Sequence, residues 1–181
     1  MKEELRYKFK IKRKYFQHSQ REVADGAIAD AFLTAYGQFD SFFIYNSFGS
    51  EADTKNIIDR LICGGKRVFL PRVEGKDMVA VQYFGKGDKL IKNAYGIYEP
   101  QGQAFEGEID VCAAPLLAVN SEGFRLGYGG GYYDRYFSAH KKIIKVGLGY
   151  FLQMTDEFKE DGSDEPLDSF VSERGIYYFE R

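Results

Sequence analysis

The chain has 181 residues, enough for one domain with a real core, and its 25 Lys and Arg against 27 Asp and Glu leave a net charge of -2, which argues against a general nucleic-acid binder. No apolar run approaches the roughly 18 residues of a membrane span, and the start MKEELRYKFKIKRKY is too charged for a signal-peptide core. The two cysteines, Cys63 and Cys112, are far apart in sequence, so they read as small buried apolar residues in a reduced, cytoplasmic setting rather than as a disulfide framework or zinc site.

Residues 2–17 carry a helical period. Leu5, Phe9 and Phe16 can face the core, while Lys2, Arg6, Lys10 and Arg13 form a basic stripe that reads as a solvated face. Lys2 and Arg6, one turn apart, could also grip one polyphosphate. Ser19 with Glu22 is a capping-box signature, and a second helix is expected to about residue 36, burying Ala24, Ala27, Ile28, Ala31 and Phe32. The run 41–46 (SFFIYN) reads as a buried strand, 47–54 (SFGSEADT) as a polar loop, and 53–63 as a helix ended by Gly64 and Gly65. A strand over 67–71 (RVFLP) completes a strand–helix–strand unit, for which a right-handed crossover is expected. Ligands meet such sheets beyond the C-terminal strand ends, which makes 46–51 and 71–72 candidate site segments.

Further along, 78–84 (MVAVQYF) alternates like a half-exposed strand antiparallel to its neighbour, and 93–100 reads as a loop. A strand over 109–114 stops at Pro115, with 116–119 carrying on past it. After the glycine-rich stretch 123–135 come a helix over 131–140, a strand over 143–148, an acidic loop over 155–165 and short strands at 168–171 and 176–179.

The stretch 123–135 reads GFRLGYGGGYYDR. Glycine clusters cost folding entropy and are kept where the backbone must turn through positive φ or where a ligand approaches the main chain. Successive N–H groups in such a loop make an anion-binding concavity, and a position between a strand and a helix N-terminus favours phosphate over a merely tight turn. There is no GK[ST] and no true GxGxxG, so neither a Walker loop nor a dinucleotide fingerprint is present. Asp134 reads either as an acid stabilising the helix dipole or as a Mg²⁺ ligand; magnesium takes one or two carboxylates, and Asp168 is a candidate for the second. No Ser/His/Asp or Cys/His constellation favours covalent catalysis by the protein. Phe48, Tyr128 and Tyr132 lie in glycine-bearing loops and could stack on a flat ligand.

RLGYGGGYYDR resembles the signature of the 5-formyltetrahydrofolate cyclo-ligase family. KEELR resembles the family's Lys-x-x-x-Arg opening, SEADT its acid-bearing loop, FLPRVEGKDM its Pro-then-Met strand pair, GIYEP its Gly-x-x-x-Pro loop and EPLDSFVSERG its C-terminal Pro-x-Asp segment. These blocks span nearly the whole chain in the family's order. Two positions depart: Ser163 stands where many relatives carry His, and Tyr95 where many carry Trp.

The resemblance implies a single α/β domain of three layers, α/β/α, around a central mixed, largely parallel sheet. It implies conversion of 5-formyltetrahydrofolate to 5,10-methenyltetrahydrofolate, with ATP as co-substrate and Mg²⁺ as cofactor; with charge and hydropathy arguing against nucleic acid and membrane, small-molecule partners and a monomer are expected. Carried over by motif, Lys2 and Arg6 contact ATP phosphates, and Arg125 with Gly127, Tyr128, Gly129, Gly130, Gly131, Tyr132 and Tyr133 holds the nucleotide. Tyr128, Gly130 and Tyr132 also approach the folate; Glu51 recognises the pterin, with Asn46, Phe48 and Met78 lining its pocket. Asp134 and Asp168 bind Mg²⁺, and Lys2, Arg125 and Tyr132 are the catalytic candidates. The competing expectations are a reduced-folate-binding protein without catalysis and a related ATP-dependent kinase or ligase with another small substrate. The acidic loop is expected to be either a mobile lid or a solvated loop.

Overall fold

The computed structural model of the protein describes residues 2–16 and 18–180. Helices α1 (Lys2–Lys14) and α2 (His18–Tyr36) precede strand β1 (Ser41–Ile44), helix α3 (Lys55–Cys63) and the strand pair β2 (Arg67–Glu74) and β3 (Asp77–Tyr83). A small hairpin of β4 (Leu90–Lys92) and β5 (Tyr98–Pro100) follows, then β6 (Val111–Pro115) and a second hairpin of β7 (Ala118–Val119) and β8 (Arg125–Leu126). Helix α4 (Tyr132–Ala139), β9 (Ile144–Leu148), a 3-10 turn (Phe151–Gln153), β10 (Ser169–Ser172) and β11 (Gly175–Tyr178) complete the chain.

Seven strands form one sheet in the order β11-β10-β9-β6-β1-β2-β3. The five central strands run parallel, and the edge strands β11 and β3 run antiparallel to their neighbours. The expected three-layer architecture is borne out. Parallel strands covered on both faces need apolar side chains on both, which is why SFFI reads as a continuous run. Phe42 and Ile44 of β1 pack with Ile28 and Phe32 of α2 and Ile57 and Leu61 of α3. Phe43, between them in sequence, turns the other way, joining Phe69, Cys112, and Tyr136 and Phe137 of α4. A third cluster seats α1 against the β7–β8 hairpin through Leu5, Phe9, Leu117, Ala118 and Leu126. That third contact carries the N-terminal helix to the glycine loop, which leaves β8 and enters α4.

The boundaries differ from expectation in several places. The first helix ends at Lys14, and its predicted last residue, 17, lies outside the described residues. Arg21 of α2 donates to the Arg13 carbonyl at 2.5 Å, satisfying a terminal acceptor and fixing the corner between the helices. Ser19 lies inside α2 rather than at its cap. The predicted loop over 93–100 contains β5, paired to β4, and the strand expected past Pro115 is the separate hairpin strand β7, paired to β8. Cys112 is buried as expected, but Cys63 is exposed at the end of α3. Among the described residues no helix is long and apolar enough to cross a membrane.

Candidate active site

The glycine loop is shaped by the two residues it joins, Arg125 on β8 and Tyr132 at the start of α4. Arg125 is 8% exposed, and its guanidinium lies under the loop: a Cβ on Gly127 would come within 2.7 Å of Arg125 Nη1. Gly131 takes φ 66 as the N-cap of α4, a left-handed conformation that glycine adopts without steric cost, and no side chain caps the helix there. The first N–H groups of α4 therefore have no side-chain acceptor, the arrangement that suits an anion.

Arg125 packs over the rings of Tyr133 and Phe137, 5.2 and 5.9 Å from the centroids. Its Nη2 lies 3.0 Å from Asp134 Oδ2. That contact is an ion pair off the N–H axis, because Nε and Nη2 are buried without a hydrogen-bond acceptor among the described residues. Orphan donors of this kind are costly unless a partner outside the described residues meets them.

Helix α1 delivers three basic residues with three different fates. Arg6 donates from Nε to the Gly127 carbonyl at 3.0 Å and lies beside Gly129, where a Cβ would be 3.5 Å from its Cζ. Lys2 forms ion pairs with Asp161 at 2.5 Å and Asp164 at 3.1 Å. Partial burial lowers the Lys2 ammonium's pKa, but the two carboxylates more than offset this and raise it overall. Arg13 is 3% exposed, so its assignment to a solvated stripe is corrected. It stands four residues after Phe9 and eight after Leu5, on the same buried face.

The acidic loop is neither free nor simply solvated. Glu157 pairs with Lys8 at 2.6 Å, Glu165 with Lys141 at 2.5 Å and Lys145 at 3.2 Å, and Phe158 is buried beside Leu5 and Phe9. The loop is thus clamped to α1, over the lysine expected to meet phosphate.

Glu51 lies in the loop after β1, buried at 7% exposure. Its Oε1 accepts the Tyr128 hydroxyl at 2.7 Å and its Oε2 accepts the Phe48 backbone N–H at 3.0 Å. Desolvation raises its pKa, opposed by the Phe48 N–H, the Tyr128 hydroxyl and the Arg13 charge. Phe48 itself is 39% exposed, at the rim of the same loop. Asn46 donates to the Tyr98 carbonyl at 3.1 Å, tying the loop to the β4–β5 hairpin. The neighbouring Tyr95 side chain on that hairpin's turn raises the Tyr132 pKa. Met78 is buried against α4 and lines a cavity of about 120 Å³ with Asp77, Arg135 and Tyr136.

Of the two proposed metal ligands, Asp134 accepts the Glu165 backbone N–H on Oδ1 at 3.2 Å and faces Arg125 through Oδ2. Asp168 accepts the Lys145 backbone N–H at 2.7 Å, and Lys145 in turn pairs with Glu165. Glu165 therefore links the surroundings of both acids. Among the described residues no group of three or more His, Cys, Asp or Glu is placed to hold a metal. Hydrated Mg²⁺ needs only one or two carboxylates, and a carboxylate offers about four acceptor positions, so Asp134, with one hydrogen-bond donor and one ion-pair partner, keeps capacity for a hard cation.

Sequence reasoning missed Arg13. It donates from Nε to Ser50 Oγ at 3.0 Å, from Nη1 to the Leu116 carbonyl at 3.0 Å and from Nη2 to the Tyr128 hydroxyl at 2.6 Å. It thereby joins α1, the Glu51 loop, the end of β6 and the glycine loop.

Comparison with known proteins gives one answer. A model of the 5-formyltetrahydrofolate cyclo-ligase family matches residues 1–173. A 5-formyltetrahydrofolate cyclo-ligase of Haemophilus influenzae is 33% identical over 138 residues, covering 72% of this chain and 74% of the relative. One from Escherichia coli K12 is 30% identical over 143 residues, covering 74% and 78%. Among solved structures, the 5,10-methenyltetrahydrofolate synthetase of Aquifex aeolicus superposes with a TM-score of 0.86 at 28% identity, covering 99% of this chain and 93% of that one. The Mycoplasma pneumoniae synthetase, at 24% identity and TM-score 0.75 over 95% and 98% of the two chains, shares the fold.

Proposed function

This chain belongs to the 5-formyltetrahydrofolate cyclo-ligase family of enzymes, and from that premise we propose that it converts 5-formyltetrahydrofolate to 5,10-methenyltetrahydrofolate at the expense of ATP. The observation that carries the proposal is the 2.7 Å hydrogen bond from Tyr128 to Glu51. It joins the loop suited to phosphate directly to the carboxylate suited to a pterin, so the two substrates would meet across one side chain.

The formyl amide oxygen is a poor nucleophile and a worse leaving group. Transfer of the γ-phosphoryl group to that oxygen gives an iminophosphate. The folate's own aryl amine then attacks the formyl carbon, and phosphate departs with the oxygen. Both nucleophiles belong to substrates, so the protein's work is alignment and charge neutralisation, the usual division in phosphoryl transfer. Arg125 offers donors that have no hydrogen-bond acceptor among the described residues, Arg6 is already fixed on the loop backbone, and the N-terminus of α4 adds N–H groups with no side-chain cap. Lys2 would meet the phosphates on leaving its acidic partners, and Tyr132 would close over the reacting groups from the start of α4. Glu51 would accept paired N–H groups of the pterin, between Asn46 and Phe48. Asp134 and Asp168 would hold Mg²⁺, which when bound neutralises phosphate charge.

Mixing the protein with 5-formyltetrahydrofolate, ATP and Mg²⁺ should produce the methenyltetrahydrofolate absorbance, and omitting ATP should abolish it. Folded protein that gives no such absorbance and binds neither substrate would refute the proposal. A second expectation concerns the clamp on Lys2. Phosphate must compete there with Asp161 and Asp164, so the double variant Asp161→Asn/Asp164→Asn should lower KM for ATP by about two- to fivefold at low salt, the scale of exposed ion pairs. The advantage should shrink at high salt. Equal KM values for parent and variant at both ionic strengths would show that no competition exists.

A further inference from the structure

Arg13 has no role in the phosphate or pterin contacts set out above, yet it is among the most deeply buried charges in the chain. Its three donors reach three segments that are remote in sequence, and its Cζ lies 5.7 Å from the Tyr128 ring centroid. A fork of this kind is arginine chemistry; a lysine, as a point charge on a flexible stem, cannot hold three planar contacts together.

The direction of the hydrogen bonds matters. Arg13 has only donors, so the contact at Nη2 fixes the Tyr128 oxygen as acceptor and leaves its single O–H to point elsewhere. That O–H is aimed at Glu51 Oε1. The far oxygen of Glu51 is pinned by the Phe48 N–H, within the loop that Arg13 also holds through Ser50. Each carboxylate oxygen thus has one protein donor and keeps acceptor capacity for a ligand.

We infer that Arg13 is a positioning residue that works through Tyr128 to hold the Glu51 carboxylate ionised and oriented for the pterin ring of the folate substrate. The inference rests on the proposed pterin role of Glu51. Other groups bear on the same carboxylate: the Tyr45 hydroxyl, committed to the Ala52 carbonyl at 2.7 Å, and Tyr133 of α4 both interact electrostatically with Glu51. Neither donates to it in the structure, so the relay from α1 and the Phe48 N–H supply its hydrogen bonds. Burial works against the charge, and the relay opposes burial.

The test uses the full chain with Tyr128→Phe, which removes one oxygen, and with Arg13→Gln and Arg13→Lys. Tyr128→Phe should raise KM for 5-formyltetrahydrofolate by about tenfold, the loss of one hydrogen bond to a charged group. The hydroxyl is committed to Arg13 and Glu51, so a nucleotide contact of Tyr128 would run through its backbone or ring, and KM for ATP should rise much less than KM for the folate. The acid limb of kcat/KM for the folate should move to higher pH, because the lost donor favours the charged form of Glu51. Arg13→Gln should move both quantities in the same direction, and Arg13→Lys should not restore them. A ligand-free readout is the ¹³C NMR titration of the Glu51 carboxyl, identified by its loss in Glu51→Gln: it should titrate at higher pH in Tyr128→Phe.

Folded Tyr128→Phe with unchanged folate KM, or with equal losses for ATP and folate, overturns the inference. So does an unmoved Glu51 titration. Should Arg13→Gln fail to fold, Arg13→Lys, which keeps the charge but not the fork, decides with Tyr128→Phe, and a folded Arg13→Lys with the parent's folate KM overturns the inference. Failure of the parent enzyme to bind or turn over formylfolate would instead strike the functional proposal, which keeps the two failures distinct.

Discussion

Arg125→Ala is expected to lose both stability and turnover, and the two losses are separable. The guanidinium is nearly enclosed, at 5% side-chain exposure, and its partner Asp134 is at 20%. Deleting one member of such a pair leaves the other charge poorly solvated and unpaired, a cost of about 3–5 kcal/mol. Loss of the packing of Arg125 against Tyr133 and Phe137 adds to it. For a chain of this size the melting temperature should fall by roughly 10 °C. Adding Asp134→Asn should recover a large part of that fall, because the stranded charge is gone. Turnover should not recover. The Arg125 donors without an acceptor among the described residues are the ones proposed to neutralise phosphate, removing a donor of that type costs about 10²–10³ in rate, and Asp134→Asn also takes away a proposed Mg²⁺ ligand. Thermal melts with ATP-saturated initial rates for both variants provide the check. Normal rates in folded Arg125→Ala would remove Arg125 from the site.

The sequence carries the fold well where one signal dominates. Strands β1, β6 and β9 and the first half of β2 are runs buried on both faces, and each is expected close to its observed place. The β4–β5 hairpin escaped because its strands are three residues each, one ending in Pro100, too short for a period to show. The glycine motif and the SEADT loop marked Arg125, Asp134 and Glu51 as site residues, but not what each side chain touches. Arg13 shows why. Its helical spacing from Leu5 and Phe9 placed it on the buried face, while its charge argued for solvent. The conflict is resolved by Ser50, Leu116 and Tyr128, which lie 37, 103 and 115 residues away along the chain. Contacts at such separation leave no trace in local periodicity. The same holds for the acidic loop, whose hold on Lys2 spans 159 residues.

Glu51→Gln is expected to separate binding from stability in the opposite sense to Arg125→Ala. Desolvation raises the native pKa of Glu51 despite three opposing interactions. A carboxyl with a raised native pKa favours the fold while protonated at acid pH, and that contribution is lost as pH rises from the ordinary carboxylate range through the raised value. At neutral pH the ionised side chain is therefore a net burden on stability. Glutamine keeps the shape without the charge: its amide oxygen can accept the Phe48 N–H, and its NH₂ can donate to the Tyr128 oxygen once the Tyr128 O–H turns away from residue 51. The melting temperature at neutral pH should equal or exceed that of the parent. Pterin recognition should suffer, because one of two acceptors becomes a donor facing an N–H group. Losing a charge-assisted hydrogen bond and leaving donors opposed costs about 10²-fold in folate KM. KM for ATP should stay within about twofold, as Lys2, Arg6 and Arg125 are untouched. Calorimetry paired with folate and ATP titrations of the initial rate would measure both halves. A variant that is destabilised yet binds formylfolate as the parent does would make Glu51 a structural acid and remove it from the pterin site.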